Sequence, residues 1–149
     1  THIPFYMRGS GIEPGECDEF IQTCDIAPTV LQLAGLPALG DIDGRVPRVF
    51  GGNEAREEIF SESYYPNHKY KATIKDREYE FFLTSEGLVD KNGRFNMGNP
   101  EVSLYKFGNY EEELSATNGD KVAFYYDVVQ KKLNELDQSI QSDRALTQE

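Results

Sequence analysis

The last part of the sequence has one continuous helical pattern, which limits the folds open to the chain. Apolar residues recur at alternating spacings of four and three after Asp120, a residue type that favours a helix start. They are Val122, Tyr126, Val129, Leu133, Leu136 and Ile140. Because an apolar stripe must be covered, we expect this helix to pack on a sheet. A coiled coil is the second choice, because the repeat spans fewer than three heptads.

Short strand patterns precede this helix. The predicted strands are Glu57–Ser63, Tyr70–Lys75, Tyr79–Ser85 and Ser103–Phe107. A hairpin turn is predicted at Lys75–Glu78, and the Asn-Gly pair in Lys91–Arg94 predicts another turn. Residues 53–149 are therefore predicted to form a small antiparallel sheet packed with a long C-terminal helix.

Residues 1–52 show a different order of elements. Strands are predicted at Ile3–Arg8 and Asp18–Thr23. A helix follows, with Asp25 as its N-cap and with Gly35 and Pro37 at its end. This order is typical of the edge of an α/β sheet. The predicted fold class is therefore α+β, a fragment of an α/β domain followed by the antiparallel sheet and helix.

The start of the sequence is abrupt. A strand pattern begins almost directly after Thr1, which favours a cut or processed piece of a longer protein. A first strand without its neighbours leaves an unpaired edge and an apolar patch. We therefore expect residues 1–35 to favour self-association, so a homo-oligomer is among the expected assemblies.

The charge balance excludes some classes of partner. The 149 residues include 15 Lys and Arg against 26 Asp and Glu, for a formal net charge of −11. This argues against binding nucleic acid or an anionic membrane surface, both of which need basic faces. No apolar run approaches the roughly 20 residues of a membrane span. Cys17 and Cys24 flank a strand-like stretch too long for a mutual disulfide, so both are predicted to be free. The cysteines therefore do not indicate the cellular compartment of the protein.

Few residues offer chemistry of their own. The sequence has two histidines and no zinc-ligand spacing, no phosphate-binding glycine loop and no nucleophile elbow. The loop that ends in His68 and Lys69 is the best polar stretch, and both residues are candidates to contact an anionic substrate. The alternative is an ordinary loop between strands. His2 is a third candidate, either near a site or half-buried in a strand. No residue is predicted to be catalytic or to bind a metal.

Several segments, in order along the chain, match motifs of one enzyme family. The segment Cys24–Pro37 has C-D-I-A-P-T-V-L-Q-L-A-G-L-P where that family has V-D-L-A-P-T-L-L-D-L-A-G-I-P. The other matching segments are Thr1–Gly15, Asp43–Arg45, Ser61–Glu62 with Lys71–Phe81, and Ser103–Phe107 with Glu111–Leu114. Together they resemble the C-terminal third of the sulfatase family, in the alkaline phosphatase superfamily.

This resemblance implies a part of a larger hydrolase of sulfuric esters. The family's formylglycine nucleophile, calcium ligands and catalytic Lys and His lie in segments upstream of those matched here. The resemblance thus implies calcium and formylglycine in the full-length enzyme, with the missing N-terminal catalytic region as this chain's partner and an anionic sulfate ester as the substrate. The chain alone would be inactive, contributing structure and loops of the substrate pocket.

Two other interpretations stay open. Ser10 stands where the family has Pro, and Glu80 stands where it has Lys. A phosphonate or phosphate ester hydrolase of the same superfamily is therefore an alternative parent. The other alternative is a stand-alone binding or interaction domain.

Overall fold

The computed structural model describes residues 3–40, 42–63, 69–86 and 97–146, apart from the side chains of 139–146. The chain divides into two compact units, Thr1–Glu57 and Glu58–Glu149. The model contains helices and a four-stranded antiparallel sheet, so the predicted α+β class is confirmed. No helix within the described residues is long and apolar enough to cross a membrane.

The second unit contains the sheet. Its strands are β1 (Ile59–Ser63), β2 (Tyr70–Lys75), β3 (Tyr79–Ser85) and β4 (Glu101–Lys106). They pair antiparallel in the order β1-β2-β3-β4, so each strand neighbours the next along the chain. Strands β2 and β3 have the predicted bounds, whereas β1 begins two residues later than predicted and β4 begins two residues earlier.

Alternation along the strands builds one buried face. In the sheet register Ile74 lies opposite Phe81, and Phe81 opposite Leu104, so these side chains share a face. All three are fully buried. Helix α2 (Gly119–Leu146) supplies the other half of the core through the buried side chains of Tyr125, Val129 and Leu133.

The long helix therefore packs on the sheet, and the coiled-coil alternative is wrong. The stripe predicts Tyr126 as a core residue, but Tyr125 is more deeply buried. The ring of Tyr125 stacks on Phe81 at 5.6 Å between centroids. Leu136 is exposed. Asp120 lies in the first turn rather than at the cap, where its carboxylate still favours the positive end of the helix dipole.

The predicted turn between β2 and β3 is confirmed, and one carboxylate closes it. Asp76 Oδ1 accepts hydrogen bonds from the N–H groups of Glu78 and Tyr79, each at 2.7 Å. Asp76 Oδ2 accepts the hydroxyl proton of Tyr125 on α2. Burial acts to raise the pKa of Asp76, but these hydrogen bonds outweigh it and hold the pKa below its usual range. Asp76 thus joins the hairpin to the helix.

The first unit contains helix α1 (Ile26–Leu33) and two single 3₁₀ turns. Gly35 ends α1 as predicted, with a positive φ of 66°. The Gly35 N–H donates to Gln32 O and the Leu36 N–H to Leu31 O, the paired bonds of a Schellman motif.

Both strands predicted in this unit are wrong. Ile3–Arg8 and Asp18–Thr23 form no strand, and the second segment runs into a 3₁₀ turn at Thr23–Asp25. A strand exists only with a hydrogen-bonded neighbour, and every strand that the described residues form lies between residues 59 and 106. The predicted Asn-Gly turn lies outside the described residues. Both cysteines are free, as predicted.

The link between Tyr125 and Asp76 predicts a measurable stability effect. Tyr125→Phe keeps the ring stack but removes the hydroxyl donor, so we expect the free energy of unfolding to fall by about 1–2 kcal/mol at pH 7. Because folding lowers the pKa of Asp76, the bonded carboxylate adds stability above the pKa of an unfolded Asp. That stability is lost as the pH falls through the folded pKa. Urea denaturation at pH 7 and pH 3 should show the difference shrinking in acid.

The control for this prediction is Tyr126→Phe, at the half-buried neighbour on the same helix. We expect it to change the free energy of unfolding little at either pH. Equal losses for the two variants would contradict a specific role for the Tyr125 hydroxyl.

Candidate functional site

Asp25 is the best-connected side chain of the first unit and is almost fully buried, with 1% exposure. Its Oδ1 accepts the N–H of Arg45 at 2.9 Å, and its Oδ2 accepts the N–H of Gln22 at 2.8 Å. It thereby joins the segments that lie before and after α1. A buried carboxylate is tolerated only when such donors replace its water.

The counter-charge comes from Arg56. Its Nη2 lies 2.5 Å from Asp25 Oδ1, and its Nε lies 3.3 Å from Oδ2, so the guanidinium donates hydrogen bonds to both oxygens. Arg56 is itself only 8% exposed. Planar, two-point pairing suits Arg and not Lys. The pair fastens the last residues of the first unit to the start of α1.

The remaining residues of the Cys24–Pro37 motif also serve the fold. The Thr29 hydroxyl donates to Asp25 O at 2.6 Å, and Pro28 is buried. Gly44 passes so close that a Cβ there would stand 2.0 Å from Cys24 O, so only glycine fits. Burial, then the Asp25 charge, raises the pKa of the Cys24 thiol, which keeps it protonated and a poor nucleophile.

The predicted helix cap at Asp25 is half right. Asp25 is the N-cap residue of α1, but its side chain makes no capping bond to that helix. The carboxylate instead reaches back to Gln22, across the 3₁₀ turn, and outward to Arg45 and Arg56. Sequence reasoning missed Arg56. Its one distinguishing feature is that it is a lone basic residue among Glu54, Glu57 and Glu58.

Lys69 is the one predicted substrate contact that lies within the described residues. It directly precedes β2, and its Nζ lies 2.5 Å from Glu86 Oε1, just after β3. The hydrogen bond and charge of Glu86 raise the pKa of Lys69, so the ammonium stays protonated. The side chain is 43% exposed, and its three donors allow an anion to bind beside or in place of Glu86.

The other two predicted contacts, His68 and His2, lie outside the described residues. The structure therefore places neither of them, and it does not bring the three candidates together. Their assignment as substrate contacts stays a prediction.

A metal site does not fit the described residues. Across ranges 3–40, 42–63, 69–86 and 97–146, no three His, Cys, Asp or Glu side chains could hold a metal ion. The buried carboxylate of Asp25 already has both oxygens bound by Arg56 and by backbone N–H groups. Calcium stays an expectation for the upstream segments that the sulfatase resemblance implies.

Three apolar side chains of α1 face outward. Ile26, Val30 and Leu33 are 40%, 51% and 42% exposed, whereas the buried residues of the helix are Pro28 and Thr29. Leu33 also lines a small cavity of about 350 Å³ with Ile12, Val49 and Phe50 among its walls. An apolar patch in residues 1–35 was expected, and self-association through it stays a prediction.

A comparison with known protein families finds no family model that matches this chain.

The Asp25–Arg56 pair predicts an asymmetric response to two arginine substitutions. Arg56→Gln leaves a buried carboxylate without its counter-charge, which costs about 3–5 kcal/mol. We expect the first unit to unfold locally, with loss of amide dispersion for residues 18–50 in a two-dimensional NMR spectrum.

Arg45→Gln is the matched control. Arg45 contributes only its backbone N–H to Asp25, and its side chain is exposed. We expect its spectrum to stay that of the wild type. An intact first unit in Arg56→Gln would refute the central role of the pair.

Proposed function

We propose that this chain is the C-terminal part of a sulfatase-like hydrolase, which hydrolyses sulfuric esters as a whole enzyme. In this proposal the chain supplies structure and loops of the substrate pocket and is inactive alone. Its partner is the N-terminal catalytic region of the same protein, and its substrate carries an anionic sulfate ester.

One observation carries the proposal: two of the matching segments meet at a single carboxylate. Cys24–Pro37 and Asp43–Arg45 are separate in sequence, yet Asp25 bonds the Arg45 N–H, and Gly44 packs on Cys24 O. Residues that match the family pattern therefore depend on one another physically.

The chemistry of these residues agrees with a supporting role. The pKa of the Cys24 thiol is raised, and the charge of Asp25 is balanced by Arg56. In the parent enzyme, formylglycine and calcium would supply the nucleophile and a positive charge for the sulfate oxygens. Within this chain, Lys69 is the described residue we assign to the substrate, as a protonated point charge.

An interaction domain is the second candidate, and the outward apolar face of α1 favours it. Ile26, Val30 and Leu33 are exposed on one helix, and such a face suits contact with another protein surface. The same face is also what a helix removed from a larger α/β domain would show. The two candidates differ in the polypeptide that the source cell makes.

The deciding experiment is an immunoblot of source-cell lysate with an antibody against residues 120–140 of α2. We expect a band several times larger than the 16.9 kDa of this chain. The captured polypeptide should release sulfate from an aryl sulfate faster than phosphate from the matching aryl phosphate. The 149-residue chain should release neither.

Each other outcome selects a different function. A band near 16.9 kDa would reject the hydrolase and favour the interaction domain. A large polypeptide that prefers the aryl phosphate would reject the sulfatase in favour of a phosphate ester hydrolase.

The role of Lys69 can be tested in the full polypeptide. Lys69→Ala should raise KM for the aryl sulfate about two- to fivefold and leave kcat nearly unchanged, the range expected of one exposed charge pair. Glu86→Gln is the opposing variant, since it removes the competing acceptor, and it should lower KM. Unchanged KM in both variants would exclude Lys69 from the substrate site.

A further inference from the structure

Strand β4 is an edge of the sheet, and residues 107–118 cover it. We name this segment the strap. It enters at Phe107, whose N–H donates to Glu78 O at 2.9 Å, and it leads into α2. An uncovered edge strand offers unpaired N–H and C=O groups to any other strand.

The strap crosses from one face of the sheet to the other. Tyr110 lies on the face away from α2, against the rings of Phe82 and Tyr105, and its hydroxyl donates to the buried Glu80. Leu114 packs against the core on the helix side. The segment between Tyr110 and Leu114 must therefore pass around the edge of β4.

At the middle of the edge, a carboxylate takes the place of a neighbouring strand. The Leu104 N–H donates to Glu113 Oε1 at 2.9 Å, and Leu104 O accepts the Leu114 N–H at 2.8 Å. These two bonds satisfy the outward backbone groups of Leu104, as a fifth strand would. The same carboxylate accepts the N–H and hydroxyl of Ser115, at 2.8 and 2.9 Å.

We propose that Glu113 is an acid-sensitive clasp that closes the β4 edge at neutral pH and releases it when the carboxylate is protonated. This inference is independent of the sulfatase proposal, because it depends only on the geometry of the second unit.

The sign of the pH dependence follows from the bonds. Hydrogen bonds from the N–H groups of Leu104 and Ser115 lower the pKa of Glu113. The ionised clasp therefore adds stability above the pKa of an unfolded Glu, and that stability is lost as the pH falls through the folded pKa. A protonated carboxyl is a weaker acceptor for these donors.

Other titratable groups belong to the elements that meet there. They are Glu101, Tyr105 and Lys106 on β4, Glu78 just before β3, Tyr79 and Glu80 on β3, Tyr110, Glu111 and Glu112 on the strap, and Asp120 and Lys121 at the start of α2. Lys75 on β2 also belongs to them, since its Nζ lies 4.1 Å from the centre of the Phe107 ring. Glu80 also holds the strap, because it accepts the hydroxyl proton of Tyr110. A test must therefore isolate Glu113 from these groups.

Hydrogen exchange of single amides in the whole chain provides that test. The Leu104 amide faces the strap, whereas the Tyr105 amide faces β3 and reports the opening of the sheet. From pH 7 to pH 3.5 we expect protection of Leu104 to fall about tenfold more than protection of Tyr105.

Two variants test whether Glu113 causes the loss of protection at Leu104 in acid. Glu113→Gln keeps a neutral acceptor at every pH, so the extra loss at Leu104 in acid should disappear. Glu112→Gln, at the exposed neighbour, should behave as the wild type. Parallel loss at Leu104 and Tyr105 in the wild type would overturn the proposal, whether or not the variants fold. An unchanged acid response in Glu113→Gln would overturn it too.

Discussion

The first unit depends on one buried charge pair. Asp25 lies where the 3₁₀ turn before α1, the Gly44–Arg45 segment and Arg56 converge, and its carboxylate bonds all three. This unit has little regular structure, and the apolar face of its helix points outward. Hydrogen bonds and an ion pair at one carboxylate therefore stabilise this unit, as an apolar core stabilises the second unit. Loss of either partner is strongly destabilising, because it leaves the other charge buried without a counter-charge.

The second unit rests on a conventional apolar core, but carboxylates again fix its connections. Asp76 closes the hairpin between β2 and β3 and bonds Tyr125 on α2. Glu113 holds the strap on β4. In both cases the side chain accepts backbone N–H groups that would otherwise lack partners. Part of the acidic excess of this chain is therefore structural, and its net charge says little about the charge of a ligand.

The residues that resemble the sulfatase pattern also have structural roles. The residues of the Cys24–Pro37 segment that match the sulfatase pattern hold the fold together through Asp25, Pro28 and Thr29. That is the basis for proposing a supporting part of a hydrolase rather than a self-sufficient enzyme. Lys69, paired with Glu86 at the open end of the β2–β3 hairpin, is the described residue that this proposal assigns to the substrate.

Elements with strong local patterns can be predicted from the sequence alone. Alternation along Tyr70–Lys75 and Tyr79–Ser85 and the helix end at Gly35 are local properties, and the structure agrees with each. The predicted stripe of α2 is right in part, because Val129 and Leu133 are buried whereas Leu136 is exposed. Other features depend on contacts between residues that are distant in the sequence. Ile3–Arg8 has strand-forming residues but pairs with no strand among the residues that the structure describes. Asp25 has the residue type of a helix cap, yet Arg56 and Arg45, distant in sequence, determine where its carboxylate points. Propensity depends on a few adjacent residues, whereas pairing and charge neutralisation depend on which distant groups folding brings together.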